Sequence, residues 1–422
     1  MNLVYSLPFW PYLYTPWLFR EMQWMKQRGH HIAIVSLGDP PGPSADVKDF
    51  DLQDVPVLQV RQQVGSDKQL LGNLMRVAFS GFKGKSLDSM KELRSKSGLR
   101  QGLHEWALLK RVTAFVQKHK ADAIEAHWAA HSAMLARDVY RATGIPYAVR
   151  LHGGDLYRNP SPNLPEIVAD AAAACPVSGF LADLLQGERP HESLPPVPPV
   201  LVENARLHVC HNGIPGDAIG TEPAPQSDEE IVIGTIGRVD PEKRHADLIE
   251  AVARLKDTCP QLRLLIVGGG QLEPSLRALA ASRGIADRVT ITGPQPWNKV
   301  MELRSRFHIY AQASEVEGCS LAIAEGLGQG VPAVLSRVGA ADQSVDEGIN
   351  GYTFEVGDVE ALCEGLRQVA MLTPSARRDM GAHSLSIIRQ RFCFETLMDQ
   401  LEGILGNLRK QVTGSSERPL GT

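Results

Sequence analysis

Ile231-Val232-Ile233-Gly234-Thr235-Ile236-Gly237-Arg238-Val239-Asp240-Pro241-Glu242-Lys243-Arg244 is a β-branched apolar run that ends on glycine and opens into a basic loop. Residues 246–255 follow with Leu248, Ile249, Val252 and Leu255 at helical spacing. An unbroken apolar strand feeding an amphipathic helix is the unit of a parallel sheet buried on both faces. Ligands of open α/β sheets bind beyond the C-terminal ends of the strands, which is where Arg238 and Lys243 stand. The planar fork of arginine and the compact charge of lysine both suit phosphate oxygens.

Further along, Ser314-Glu315-Val316-Glu317-Gly318-Cys319-Ser320-Leu321-Ala322-Ile323-Ala324-Glu325-Gly326-Leu327-Gly328-Gln329-Gly330-Val331-Pro332 places two carboxylates, Glu317 and Glu325, with seven residues between them. Glu317 falls in a glycine-containing turn and Glu325 in a run of helical character. A loop feeding a helix N-terminus offers backbone N–H groups to an anion, and acids beside it suit hydroxyl groups. Together with the basic loop this points to a sugar nucleotide, with diphosphate on the amides and cations and sugar and ribose hydroxyls on the carboxylates.

The same alternation runs through the whole chain and predicts an α/β protein. Strands are expected at residues 2–7, 31–37, 55–60, 123–128, 146–152, 174–178 and 208–211, then at 231–237, 263–268, 289–293, 308–312, 333–336 and 352–355. Residues 215–230 are rich in Pro, Gly, Ser and acids and read as a linker. At 422 residues the chain is long enough for two cores. Residues 190–199, with Pro195-Pro196 and Pro198-Pro199, read as an extended insertion. Residues 413–422 read as a disordered tail.

The net charge of −4 and ordinary composition exclude a nucleic-acid-binding chain of the basic kind. Six scattered cysteines without a CxxC read as reduced thiols of a cytosolic protein. From Asn2 to Phe19 no charge occurs, but Pro8, Pro11 and Pro16 interrupt the stretch, so a signal segment or spanning helix is not expected. It reads as a buried strand followed by an aromatic loop.

The pair of motifs Gly237-Arg238…Glu242-Lys243 and Glu317-(seven residues)-Glu325 resembles retaining glycosyltransferases of the GT-B fold, glycosyltransferase family four (glycosyl transferases group 1), of the bacterial polysaccharide and glycolipid type. The resemblance extends through Leu264-Leu265-Ile266-Val267-Gly268-Gly269-Gly270, Val289-Thr290-Ile291-Thr292-Gly293 and Pro332-Ala333-Val334-Leu335-Ser336. It covers residues 230–400 and, more weakly, 120–213. It departs from the family after Glu317-Gly318, where an aromatic and a glycine are usual and this chain has Cys319 and Ser320.

The resemblance implies a fold, a donor site and an acceptor side. The fold is two Rossmann-like parallel-sheet domains facing across a cleft: an acceptor domain at 1–214, the linker at 215–230, a nucleotide-sugar domain at 231–391, and a helix at 392–412 returning to the first domain. Donor-binding residues are Gly237, Arg238, Lys243, Gly268, Gly293, Glu317, Gly318, Cys319, Ser320, Leu321 and Glu325. On the acceptor side stand Phe9, Trp10, Tyr12, His152 and Asp155. His152, in Arg150-Leu151-His152-Gly153-Gly154-Asp155, would bond a sugar hydroxyl at the catalytic centre, and Asp155 would orient its loop. Arg238 and Lys243 would stabilise the departing diphosphate, Glu317 would hold sugar hydroxyls, and Glu325 the ribose.

No cofactor and no metal are expected. Asp49-Phe50-Asp51 matches a metal motif only by chance, and His127 with His131 lacks a third ligand. The donor favoured is a UDP-sugar and the acceptor a saccharide or lipid-linked saccharide. The alternatives are a GDP-sugar (mannosyl) transferase acting on a small soluble acceptor, a sugar-nucleotide 2-epimerase, and a non-catalytic sugar-nucleotide-binding protein. Residues 68–120 carry Lys68, Arg76, Lys83, Lys85, Lys91, Arg94, Lys96, Arg100, Lys110, Arg111, Lys118 and Lys120 against Asp88, Glu92 and Glu105. Such a basic, partly amphipathic run suits either an anionic membrane surface or a solvated face. The expected location is cytoplasmic, with peripheral attachment to the inner face of the plasma membrane as an option.

Overall fold

A computed structural model of the chain describes residues 1–12, 15–40, 44, 46–60, 99–157, 160–188, 200 and 202–414. Most of the basic run (61–98), the proline-rich stretch 189–199 and the tail 415–422 lie outside the described residues. The chain divides into two units, Met1–Pro176 with Ala182–Cys210 and Met398–Thr422, and Val177–Leu181 with His211–Leu397.

Each unit is built on a six-stranded sheet in which every recorded pairing is parallel. The first runs β3-β2-β1-β4-β5-β6, from β1 (Asn2–Phe9), β2 (His31–Gly38), β3 (Val57–Gln59), β4 (Ala123–His127), β5 (Tyr147–Leu151) and β6 (Ala173–Pro176). The second runs β12-β11-β10-β7-β8-β9, from β7 (Ile231–Ile236), β8 (Leu262–Val267), β9 (Val289–Ile291), β10 (Ile309–Gln312), β11 (Ala333–Ser336) and β12 (Gly351–Phe354). Both follow the doubly wound order, so each has one switch point, between β1 and β4 and between β7 and β10.

The second sheet shows why its strands read as continuous apolar runs. Ile231 and Ile233 of β7 enter a core with Leu248, Ile249 and Val252 of the helix His245–Arg254. The intervening Val232 enters another core with Leu327 and Ile388, from the helices Leu321–Leu327 and Pro374–Arg391. Both faces of β7 are covered by apolar cores, so its residues need not alternate.

Two expectations are corrected. Residues 208–211 do not form a strand. His208 and Cys210 donate N–H bonds to the carbonyls of Ala174 and Pro176, 2.9 Å each, beside the edge strand β6. The return bond would come from Pro176, which has no N–H, so the ladder does not propagate. Residues 215–230, read as a linker, are fastened to the second unit. The buried Arg377 donates to Ser227 O and Asp228 Oδ1, 2.7 Å each, and the main chain bonds Gly220 N to Gly328 O at 2.7 Å. The terminal helix spans Phe394–Gly414, and its Glu402 takes Arg28 and His30 of the first unit at 3.0 and 2.7 Å. No helix among the described residues is long and apolar enough to cross a membrane.

Candidate functional sites

In the second unit the loops leaving β7 and β10 meet at the switch point. The main chain ties them, Glu315 N–H donating to Glu242 O at 2.8 Å. Between them Glu317 is almost buried, at 9% exposure. Its Oε1 accepts from Gln312 Nε2 and Ser314 Oγ, 2.8 Å each, and from Lys243 Nζ. Its Oε2 has no partner among the described residues. One oxygen is therefore spent on orientation while the other can accept from a ligand.

Gln312 is itself fixed, since Tyr310 Oη donates to its Oε1 at 2.9 Å and Ser320 Oγ stands 3.4 Å from the same atom. Ser320 precedes the short helix Leu321–Leu327, which carries the half-buried Glu325. The buried Arg304 fastens that helix, donating to Glu325 O at 3.0 Å and to Ala218 O at 2.7 Å. Cys319 is half-buried, its thiol 3.6 Å from Asn212 O.

Gly268 explains the glycine run after β8. A Cβ there would lie 1.9 Å from Gly237 O, so the two loops pack backbone on backbone. Val239 N–H then donates to Gly269 O at 3.0 Å, and Gly268 forms a bridge with Gly293. The run shapes the loop that carries Arg238. Arg238 itself is 61% exposed at its side chain and pairs with Asp240 and Glu242 of the same turn, not with Glu317. Of the expected donor residues, Lys243 and Glu317 are joined directly, Ser320 through Gln312, and Arg238 stands apart. Gln312, Ser314 and Arg304 are additional members. The signal for Gln312 is a polar residue closing an apolar strand.

In the first unit His152 follows β5, one strand away from the switch point between β1 and β4, and is 8% exposed. Its ring lies 5.1 Å from Trp17, 4.8 Å from Trp128 and 5.6 Å from His127. Asp155 is buried and accepts from the backbone N–H of His152 at 2.7 Å and of Ala129 at 2.9 Å, joining the loops after β4 and β5. Burial pushes its carboxyl up to about 7 against the pull of those two N–H groups. His152 is held well below the ordinary histidine range by burial, then by His127 and the Arg150 charge.

Trp10 departs from its expected place on the acceptor side. It is 5% exposed and packs edge-on to Phe19 at 4.8 Å, a core contact and not a stacking surface. Phe9 and Tyr12 are half-buried and face each other at 6.3 Å. Trp17 takes the place beside His152. The expectation that His127 and His131 lack a third ligand changes in its partners, for the group around His127 does not include His131. Glu21 and Glu125 each stand 3.5 Å from its Nε2, in a group spaced closely enough to hold a metal ion. Asp51 of the Asp-x-Asp match is taken by Lys26 at 3.1 Å.

A family model described as glycosyl transferases group 1 matches residues 221–384, and one described as glycosyl transferase 4-like domain matches residues 16–190. The chain is 25% identical over 311 residues to N-acetyl-alpha-D-glucosaminyl L-malate synthase of Bacillus anthracis, covering 71% of this chain and 78% of the relative. It is 31% identical over 189 residues to D-inositol 3-phosphate glycosyltransferase of Stackebrandtia nassauensis, covering 43% and 42%. Anabaena Alr3699/HepE, solved in complex with UDP, superposes with a TM-score of 0.69 at 18% identity, over 96% of this chain and all of that one (100%). At that identity the likeness is one of fold, GT-B.

Proposed function

Because this chain belongs to the glycosyl transferases group 1 family and is a glycosyltransferase, we propose that it moves a sugar from a nucleoside-diphosphate donor to a saccharide or lipid-linked acceptor with retention. The observation that carries the donor assignment is the half-occupied Glu317 carboxylate, held on Oε1 and unpartnered on Oε2, beside Lys243. Such a group can accept from sugar hydroxyls, while Lys243 offsets charge that grows on the leaving diphosphate. Glu325 is assigned to the ribose, and the amides of Gly318, Cys319, Ser320 and Leu321 with Gly237, Gly268 and Gly293 to the close approach of the diphosphate. UDP is favoured, the nucleotide held by the Anabaena protein of the same fold.

In the proposed step the bond from the anomeric carbon to the β-phosphate oxygen breaks. The acceptor oxygen bonds to that carbon on the same face, and its proton passes to the departing phosphate. No protein nucleophile takes part, and the protein supplies position and charge. The first unit takes the acceptor, with Trp17 and Trp128 as stacking surfaces and His152 as the polar contact.

A second reading of the acceptor is favoured by the two relatives, whose names specify L-malate and inositol 3-phosphate, small soluble anions. Nucleotide release from a panel of UDP- and GDP-sugars, with and without lipid-linked, oligosaccharide and small anionic acceptors, tests both. Acceptor-dependent UDP release with the donor's anomeric configuration kept in the product is the expected result. Formation of an epimerised nucleotide sugar, or release indifferent to every acceptor, would overturn the proposal.

A further inference from the structure

Below His152 the first unit buries a set of ionisable groups that its core does not need. Glu21 of the helix Pro16–Gln27, Glu125 and His127 of β4, and Arg150 of β5 are each at most 1% exposed. His127 Nε2 stands 3.5 Å from both carboxylates, and Arg150 reaches Glu21 at 3.6 Å and Glu125 at 3.9 Å. Replacing such a set whole by apolar side chains is often neutral or stabilising. Stability therefore does not account for it, and what it touches becomes the question. It touches His152, whose Nε2 lies 3.4 Å from His127 Nδ1. Trp128, next to His127, holds a left-handed backbone with φ of 67°, an unfavourable conformation for a bulky side chain that brings its ring against His152.

We propose that Glu21 and His127 are positioning residues that set the tautomer of His152, so that His152 presents Nδ1 as an acceptor to a sugar hydroxyl. This rests on the assignment of His152 to the saccharide-binding face. The protons follow from the chain of contacts. Burial raises the Glu21 carboxyl, but Arg150 and His127 more than offset it, and Glu21 stays ionised. Burial and then the Glu21 charge push Glu125 up, so it is the neutral acid of the pair. Burial keeps His127 neutral against the pull of Glu21.

At 3.5 Å His127 Nε2 and Glu21 Oε1 approach without forming a hydrogen bond, and neither atom has another hydrogen-bond partner among the described residues. Since a carboxylate only accepts, the pair favours the single proton of His127 on Nε2, facing Glu21. Its Nδ1 is then bare and must accept from His152 Nε2–H. His152 is left with a bare Nδ1, which has no partner among the described residues. The Glu125 hydroxyl would compete for His127 Nε2, but an ionised carboxylate is the stronger acceptor and draws it to Glu21. A divalent ion among Glu21, Glu125 and His127 would sit beside the Arg150 guanidinium, where two carboxylates cannot balance three positive charges.

The test uses full-length protein with 15N-labelled histidine, read by long-range 1H–15N correlation, which distinguishes protonated from bare ring nitrogens. His127→Gln and His152→Gln assign the signals. Protons on Nε2 of both rings are expected. In Glu21→Gln the amide can donate to His127 Nε2, so both tautomers should reverse. Turnover should then fall about 10- to 100-fold, the range for loss of an outer partner that orients a binding histidine, with nucleotide affinity unchanged.

A proton on His152 Nδ1 in the unmodified protein would overturn the proposal, and this measurement does not depend on Glu21→Gln folding. So would unchanged turnover in Glu21→Gln, or one equivalent of zinc retained after dialysis against chelator. Full turnover in His152→Ala, with the Nε2–H tautomer observed, would instead remove His152 from the saccharide-binding face and leave the relay without a task.

Discussion

Glu317 and Asp155 both pair a buried carboxylate with donors, and they do so for different ends. Glu317 takes three donors on one oxygen and leaves the other open, so its neighbours set the plane of the carboxylate. Loss of one preorganised electrostatic contact of this kind costs about 10²–10³ in rate. Lys243→Ala and Glu317→Gln should each fall by that factor in steady-state nucleotide release. Arg238→Ala should fall less, because Asp240 and Glu242 already match its charge. Near-normal turnover in Lys243→Ala would remove the donor site from this switch point.

Asp155 spends both oxygens on backbone N–H groups, and its acid is raised from an unfolded value of 3.8 to about 7. Between those values the folded state holds a proton that the unfolded state has lost. Its contribution therefore declines as pH rises through that window and is level above it. His127 and His152, lowered by burial, slope the opposite way. The difference between wild type and Asp155→Asn isolates the acid. In urea unfolding the wild type should lose more stability from pH 5 to pH 8 than the variant, and equal slopes would contradict the raised acid.

Lys243 and Glu317 are legible in the sequence because both stand where a strand pattern stops. Glu21 is not, since one acid in an amphipathic helix looks solvated. Glu125 had a signal, an acid inside the buried run Ala123–His127. Trp10 was misplaced because aromatic composition does not say which way a ring turns.

At the scale of elements, what the sequence shows best is alternation, and what it shows least is how backbones meet. Every strand of the second sheet falls within two residues of its expected bounds, because a period-free apolar run flanked by helical spacing has few other readings. The false strand at 208–211 fails on one missing N–H in a neighbour, Pro176, which no local pattern displays. The supposed linker has linker composition and still packs, because Arg377, far along the chain, reaches its carbonyls.

Gly268 belongs to the same class, a residue whose reason is another backbone. Alanine there would put Cβ 1.9 Å from Gly237 O, and a carbonyl in a bonded loop cannot swing aside as a side chain could. Overpacking of this kind costs typically about 1–3 kcal/mol. Gly268→Ala should therefore lower the thermal midpoint and weaken nucleotide affinity together, because the displaced loop carries Arg238 and Lys243. Calorimetry showing an unchanged midpoint with unchanged nucleotide affinity would mean that the two loops do not pack this closely.

At the scale of the whole molecule, the chain is a pair of sheets wound in the same order, each with one switch point. Alternation of strands and helices was readable in advance, but strand order was not, because every crossover of a parallel sheet looks alike in sequence. The charge of the molecule follows another division. Net −4 overall contains residues 68–120, with twelve lysines and arginines against Asp88, Glu92 and Glu105. If the acceptor is lipid-linked, that run would bring the enzyme to an anionic surface, each cation contributing about 1 kcal/mol near the headgroups. Attachment of this kind is screened over a Debye length of about 10 Å at 0.1 M salt. Flotation with vesicles containing phosphatidylglycerol should recover the protein at low salt and release it at high salt. Neutralising Lys83, Lys85, Lys91 and Arg94 should abolish recovery while leaving nucleotide affinity intact, since the proposed donor residues lie in the second unit. Equal recovery on neutral and anionic vesicles would instead favour a small soluble anion as the acceptor, for which this basic run would have no surface to meet.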